Sequence, residues 1–270
     1  KDLEKFIKFD FPVPVVNLNK ELIDLEIKRS IAPKKYDNTI VLMAGGLGTR
    51  LMPLTNNTPK PMIKIGNKPI LELILENFIN SGFHNFYIST FYKAQEISKY
   101  FQDGKKWGVN INYLDEKKPL GTAGALTLIK KFNENSPLIL MNCDILTKLD
   151  FTNLLEFHNQ NKNDVTICSK EYQFSIPYGV LVKKNKLVNN FEEKPVHKFD
   201  INAGIYVFNK KSLNTIPAKK KKINMNEFIN SLLKKNFKIS TFPLHEYWID
   251  VGKIDDFKKA QLDISSGIFK

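Results

Sequence analysis

The stretch Thr39-Ile40-Val41-Leu42-Met43-Ala44-Gly45-Gly46-Leu47-Gly48-Thr49-Arg50 decides the architecture. Thr39 to Ala44 is an unbroken, mostly apolar run of strand length, as expected for a strand covered on both faces. It runs straight into three glycines within four positions. Glycines let backbone N–H groups close around phosphate oxygens without Cβ clashes, and a helix terminus expected after the loop would add positive potential. Two familiar glycine loops fail here on residues. A P-loop needs Lys-Ser or Lys-Thr after its last glycine, and none follows. A dinucleotide fingerprint starting at Gly46 and Gly48 would place Leu51 at its third glycine, and no acidic residue ends a second strand at the required distance.

Outward from this loop, strand and helix patterns alternate. Ile70 to Asn80 carries apolar residues at Ile70, Leu71, Ile74, Leu75, Phe78 and Ile79, a helical stripe. Asn85–Thr90 reads as a strand, Ala94–Phe101 as a helix and Asn110–Leu114 as a strand. Leu120–Lys131 reads as a helix opened by Gly121-Thr122, and Pro137–Met141 as a strand. This rhythm predicts an α/β fold: a Rossmann-like, mostly parallel sheet with helices on both faces. In such sheets the loops beyond the carboxyl ends of the strands carry the chemistry. Residues 1–35 differ, with a short apolar strand, a polar turn and a second strand between Phe11 and Leu25, then a linker at Ala32-Pro33-Lys34-Lys35. The expected organisation is therefore 1–35 as a hairpin segment with linker and 36–270 as a separate α/β domain.

Composition narrows the setting. At 270 residues and 42% hydrophobic the chain can bury a sizeable core. Cys143 and Cys168 are its only cysteines, both in apolar runs, which fits a reducing cytoplasmic compartment rather than a disulfide scaffold. No apolar stretch reaches membrane-spanning length, and the start Lys1-Asp2-Leu3-Glu4 is no signal peptide, so no membrane partner is expected. With no initiator Met, the sequence reads as a piece of a longer chain. The net charge of +13 lies in scattered lysines and in Lys219-Lys220-Lys221-Lys222, without interleaved aromatics. That favours a solvated surface that also draws in anionic phosphates over a nucleic-acid face.

Leu42 to Leu54, followed by Thr58-Pro59-Lys60-Pro61-Met62, resembles the signature of the sugar-1-phosphate nucleotidyltransferases, and the resemblance extends from about Asn38 to about Leu262. It implies the nucleotide-diphospho-sugar transferase type of fold and a reaction in which a sugar 1-phosphate attacks a nucleoside triphosphate and releases pyrophosphate. It assigns Met43, Ala44, Gly45, Gly46, Gly48 and Thr49 to the nucleotide, and Arg50 and Lys60 as the charged catalytic groups. A surface lysine would be the plain reading of Lys60, but its place between two prolines in a rigid loop disfavours that. Asp144 ends the strand Leu138–Cys143, and Asp250 lies in Tyr247-Trp248-Ile249-Asp250-Val251-Gly252. Alone, either aspartate would read as a cap or turn residue. The resemblance makes the two aspartates ligands of a shared Mg²⁺. Phe191-Glu192-Glu193-Lys194-Pro195, alone a solvated charge run, resembles the family segment that assigns Lys194 to the attacking phosphate and Glu193 to the sugar. Tyr178-Gly179-Val180 and Asn202-Ala203-Gly204 match the remaining sugar-contacting segments, adding Tyr178, Gly179 and Asn202. The sugar phosphate is itself the nucleophile, so the four histidines receive no role.

Base choice falls to Met43, Gly45 and Glu116-Lys117-Lys118-Pro119-Leu120-Gly121-Thr122, within which Glu116, Pro119, Gly121 and Thr122 are the candidate contacts. Related thymidylyl- and uridylyltransferases place a glutamine near Glu116. A carboxylate only accepts, and guanine offers two adjacent donors, N1–H and N2–H₂, so Glu116 tilts the choice to GTP unless it is merely solvated beside Lys117 and Lys118. Pro119 to Leu126 is similar to hexose- and heptose-1-phosphate guanylyltransferases. The hairpin at residues 11–25 resembles the closing hairpin of a cystathionine-β-synthase-type (CBS) regulatory domain. A remnant of such a domain joined to this catalytic domain resembles the glucosamine-1-phosphate guanylyltransferases of bacterial legionaminic acid biosynthesis. Thymidylyl, uridylyl and mannose- or heptose-1-phosphate guanylyl transfer are the alternatives, as is a non-catalytic nucleotide-sugar sensor. A homo-oligomer is left open.

Overall fold

The computed structural model describes residues 13–16, 22–26, 34–129, 133, 135–217 and 222–268, within two units, Lys1–Lys35 and Tyr36–Lys270. In the first, β1 (Val13–Val16) and β2 (Leu22–Glu26) pair antiparallel, with Val13 opposite Glu26 and Val16 opposite Leu22. The turn expected between them, the start of the linker at Ala32-Pro33 and the run Lys219 to Lys221 lie outside the described residues.

In the second unit, β3 (Tyr36–Met43) leads through two short strands, β4 (Lys64–Ile65) and β5 (Lys68–Pro69), into α1 (Ile70–Asn80). Then come β6 (Phe83–Thr90), α2 (Ala94–Phe101), β7 (Asn110–Asp115), the single turn α3 (Gly121–Gly124), β8 (Leu138–Asn142), β9 (Ile145–Thr147) and α4 (Phe151–Gln160). The chain continues through β10 (Val165–Ser175), β11 (Val180–Lys184), β12 (Leu187–Glu192), β13 (Val196–Phe208), α5 (Lys210–Leu213), α6 (Met225–Leu233), β14 (Ile239–Pro243), β15 (Trp248–Asp250) and α7 (Ile254–Ser265).

Among the described residues, seven strands form the main sheet in the order β14-β10-β13-β8-β3-β6-β7. The sheet is parallel except that β13 runs against both of its neighbours. Ile40, Val41 and Leu42 are fully buried. Strand alternation sends Ile40 and Leu42 to one core and Val41 to the other, which is why no polar residue interrupts the run. On the first face Phe78 of α1 stacks on Phe151 of α4 and meets Phe83 and Phe86 edge-on. Truncating Phe78 to Ala would cost about 3–5 kcal/mol. On the second face Met225, Phe228, Ile229 and Leu232 of α6 pack with Leu140 and Phe208. The chain order reverses between β3 and β8, so the carboxyl ends of these two strands open the crevice in which such sheets bind ligands.

Two expectations are corrected. No α-helix follows the glycine loop. Thr49–Leu51 is one 3₁₀ turn, and the next helix begins at Ile70. Pro53 lacks an N–H, and its ring would clash with the carbonyl of Thr49, so a helix cannot continue there. The positive potential at the loop therefore comes from its amides, Arg50 and Lys60. The helix expected over Leu120–Lys131 is the turn α3 followed by a 3₁₀ segment, Ala125–Leu128, and Ile129 is extended. The Thr127 hydroxyl donates to the Gly124 carbonyl at 2.7 Å, a partner that competes with a continuing helical ladder. Lys130 and Lys131 lie outside the described residues.

Candidate active site

The loop after β3 is anchored on both sides. Ala44 N–H donates to the Ser89 carbonyl at 2.9 Å, and Cys143 N–H to the Met43 carbonyl at 3.2 Å. Gly48 adopts a left-handed φ of 68°, and a Cβ there would lie 2.8 Å from Thr55 Cγ2 and 3.0 Å from Lys60 Cβ. Glycine is therefore required where the loop closes against the lysine segment.

Lys60 is 8% exposed, and its Nζ donates to Asp144 Oδ2 at 2.6 Å. A solvated surface role is thus excluded. The two prolines around Lys60 and its 3₁₀ turn, Lys60–Met62, hold it inward. Asp144 follows β8, and Val251 N–H donates to its carbonyl at 2.8 Å. That bond brings β15 alongside, with Asp250 paired to Ile145. Asp144 Oδ1 and Asp250 Oδ1 are both buried without a hydrogen-bond partner. Burial, then the charge of Asp144, holds the Asp250 carboxyl above the usual carboxylate range, while Lys60 and Arg50 pull it down. Arg50 reaches the same place, with Nη1 3.6 Å from where a Gly252 Cβ would stand and Asp250 Oδ1 3.2 Å from that point. Two buried carboxylate oxygens without donors, beside the held Lys60 and the nearby Arg50, fit a divalent cation held between them. Among the described residues no cluster of three or more His, Cys, Asp or Glu could hold a metal. A cation here would therefore complete its shell with phosphate oxygens and water.

A cleft of about 290 Å³ runs from Asp144 along the loop, lined by Met43, Gly45, Gly46, Leu47, Glu116, Pro119, Gly121, Thr122, Asn142 and Asn224. The structure therefore gathers Met43, Gly45, Gly46, Glu116, Pro119, Gly121 and Thr122 in one cavity; Ala44 and Gly48 anchor the same loop, and Thr49 is exposed and does not line the cavity. Glu116 is held rather than solvated. Its Oε1 accepts from the Ser89 hydroxyl, and its Oε2 accepts from Leu120 N–H at 2.7 Å. Gly121 has φ of 78°, and a Cβ there would stand 2.6 Å from the Ile223 carbonyl. Thr122 Oγ1 accepts from Met225 N–H at 2.8 Å, which leaves its own hydroxyl hydrogen to donate.

The sugar-assigned residues stand apart. Tyr178 is 74% exposed, and the side chains of Glu193 and Lys194 are 64% and 67% exposed, 3.9 Å from each other. They flank the antiparallel β11–β12 hairpin, and no hydrogen bond or ion pair brings Lys194 to Asp144 or Asp250. A Cβ on Gly179 would lie 2.4 Å from the Phe191 ring and 3.0 Å from Glu193 Oε2, so those three converge. Asn202 is turned into its own strand, accepting from Gly204 N–H at 3.0 Å and donating to the Tyr206 hydroxyl at 2.6 Å. Its neighbours contact the segments that lead to the acid pair, since Trp248 Nε1 donates to the Ala203 carbonyl at 3.0 Å and Asn142 Nδ2 sits 2.9 Å from a Gly204 Cβ position.

Leu47, Asn142, Asn224 and Ser89 were missed by sequence reasoning. Asn142, at the end of β8 two residues before Asp144, carried a usable signal: strand ends at a switch point face the crevice. Asn224 announced only a capping box with Glu227 before α6, and nothing local ties it to a cleft a hundred residues upstream.

The profile of the nucleotidyl transferase family matches residues 39–267. The chain belongs to this family. It is similar to the mannose-1-phosphate guanyltransferase of Pichia angusta, 35% identical over 225 residues, 80% of this chain and 61% of the relative. The mannose-1-phosphate guanylyltransferase catalytic subunit beta of Drosophila melanogaster is 34% identical over 223 residues, 80% of this chain and 60% of the relative. The chain thus spans about 61% of the length of the curated relatives it matches. The crystal structure of HddC from Yersinia pseudotuberculosis complexed with GMP-PN is 29% identical, with a TM-score of 0.67 over 84% of this chain and 99% of that one.

Proposed function

We propose that this chain transfers GMP from GTP to the phosphate of a sugar 1-phosphate, giving a GDP-sugar and pyrophosphate. The observation that carries the reading is the Lys60–Asp144 pair, with two donorless carboxylate oxygens beside it, at one end of a glycine-lined cleft that also presents Glu116. An oxygen of the sugar phosphate attacks the α-phosphorus in line, and the bond from that phosphorus to the bridging oxygen breaks as pyrophosphate leaves. Amides of Gly45 to Thr49 supply fixed dipoles along the triphosphate, and Arg50 and Lys60 supply full charges where negative charge builds. Asp144 and Asp250 would hold Mg²⁺, Asp144 through Oδ1 while Oδ2 stays with Lys60. When bound, the ion aligns and neutralises phosphate oxygens of both substrates. Lys194 meets the attacking phosphate, and Tyr178, Gly179, Glu193 and Asn202 define the sugar end. Glu116 accepts from guanine N1–H and N2–H₂.

For the acceptor we propose glucosamine 1-phosphate, in legionaminic acid synthesis, with residues 1–35 the remnant of a CBS-type regulatory domain. The β1–β2 pair supports that reading. Mannose 1-phosphate is the second reading, supported by the names of the relatives. Pyrophosphate release from GTP, UTP and dTTP against glucosamine, mannose and heptose 1-phosphates tests both choices. GTP with glucosamine 1-phosphate is expected to give the highest kcat/KM. A preference for UTP or dTTP would overturn the base, and a preference for another sugar the acceptor.

A further inference from the structure

We infer, on the guanine reading above, that Ser89 is the positioning residue that turns Glu116 into a preset base-reading edge. Ser89 lies next to the carboxyl-terminal residue of β6 and is fully buried. Its carbonyl holds Ala44, the residue that opens the glycine loop, and its hydroxyl donates to Glu116 Oε1. Leu120 N–H holds the other oxygen at 2.7 Å. Gly45 closes the third side, because a Cβ there would lie 2.9 Å from Oε1. A carboxylate has about four lone-pair sites, two on each oxygen. One on each is taken by a protein donor, and the pair left over is what two adjacent donors on a purine edge require. With both oxygens fixed before the ligand arrives, little side-chain freedom is lost on binding.

The two donors differ in kind. Leu120 N–H only donates, whereas a serine hydroxyl rotates to donate or accept. Were Glu116 an amide, its oxygen would go to Leu120 and its NH₂ to Ser89. The cleft would then face the base with one acceptor beside one donor, the complement of uracil or thymine. Ser89 is thus the element that lets one pocket hold either residue in a defined orientation.

The experiment compares GTP with ITP, which lacks the 2-amino group, over one sugar 1-phosphate. The parent should favour GTP in kcat/KM by about tenfold or more, the size of one lost contact to a charged group. Ser89→Ala should bring that ratio to within about twofold of one, chiefly by raising the KM for GTP while kcat moves less. Ser89→Thr, which keeps a hydroxyl, should restore the ratio, an effect that simple loss of packing would not produce. Thermal melting of both variants verifies that they are folded. A folded Ser89→Ala variant that keeps the parent ratio overturns the role of Ser89 alone. A parent that does not distinguish GTP from ITP overturns the guanine reading and this role with it.

Discussion

Lys60 and Lys194 are both assigned to phosphate, and their surroundings are opposite. Lys60 is 8% exposed, wedged between prolines and 2.6 Å from Asp144. The Lys194 side chain is 67% exposed at the end of a hairpin, with Glu193 at 3.9 Å. The same contrast holds for the carboxylates. Glu116 has a protein donor on each oxygen, while Glu193 stands mostly in solvent. The end proposed for the triphosphate is packed and hydrogen-bonded within the protein itself. The end proposed for the sugar is exposed, and any side-chain freedom lost there on binding would lower affinity for the sugar phosphate. Substitutions at the two ends should therefore register differently. Changes at the packed end should alter turnover or base choice, with a loss of stability where a buried charge is left unpaired, whereas changes on the hairpin should alter chiefly the KM of one substrate.

The largest effects fall on the acid pair. Asp144→Asn and Asp250→Asn should each lower kcat by roughly a thousandfold, since on the proposed reading either would remove an anionic ligand from the cation, an effect of several kcal/mol. Asp250→Asn should not lower Tm, because it removes a charge that burial and Asp144 disfavour. Pyrophosphate release and thermal melts on the same preparations check both halves. Lys60→Met comes next. It strands the Asp144 carboxylate and should cost about 2 kcal/mol, roughly 5 °C in Tm, together with about a hundredfold in kcat. An unchanged Tm would mean that the ion pair does not stiffen the cleft, and the contrast between the ends would fail.

Glu116→Gln probes base choice at the packed end. It should reduce the GTP-to-UTP ratio of kcat/KM by roughly ten- to a hundredfold, read by direct competition of the two triphosphates. The smallest effect belongs to the hairpin. Lys194→Met should raise the KM for the sugar phosphate about tenfold with Tm unchanged, because exposed ion pairs contribute under about 1 kcal/mol. A larger rise in the KM for GTP would mean that the two ends of the site have been exchanged.

Where the sequence was legible, local physics and final structure agree. The apolar run from Thr39 falls in an interior strand of the sheet, β3, which ends at Met43, and the stripe from Ile70 to Asn80 is α1 to the residue. The family resemblance, and no local pattern, picked out the lysine and the two aspartates that the fold brings together, although 84 residues separate Lys60 from Asp144. What stayed illegible depends on distant partners. The reversal of β13 follows from its pairing with β8 and β10, which no local pattern encodes. The helix after Gly121 stops at one turn, whose free first-turn N–H at Ala123 donates to the Ile223 carbonyl while Thr122 accepts from Met225, partners a hundred residues away. Ser89 looked like any polar residue in a strand, and its meaning depends on Glu116 reaching back to it.

The central claim is that this cleft performs transfer and is not merely a receptor for nucleotides. Phosphorus NMR of the chain with GTP, magnesium and glucosamine 1-phosphate, repeated with mannose 1-phosphate, tests it directly. The account predicts loss of the triphosphate signals and matched growth of pyrophosphate and GDP-sugar diester signals, both abolished by chelating the cation and in Asp250→Asn. GTP that binds but persists unchanged beside every sugar phosphate would contradict it and would make the protein a sensor.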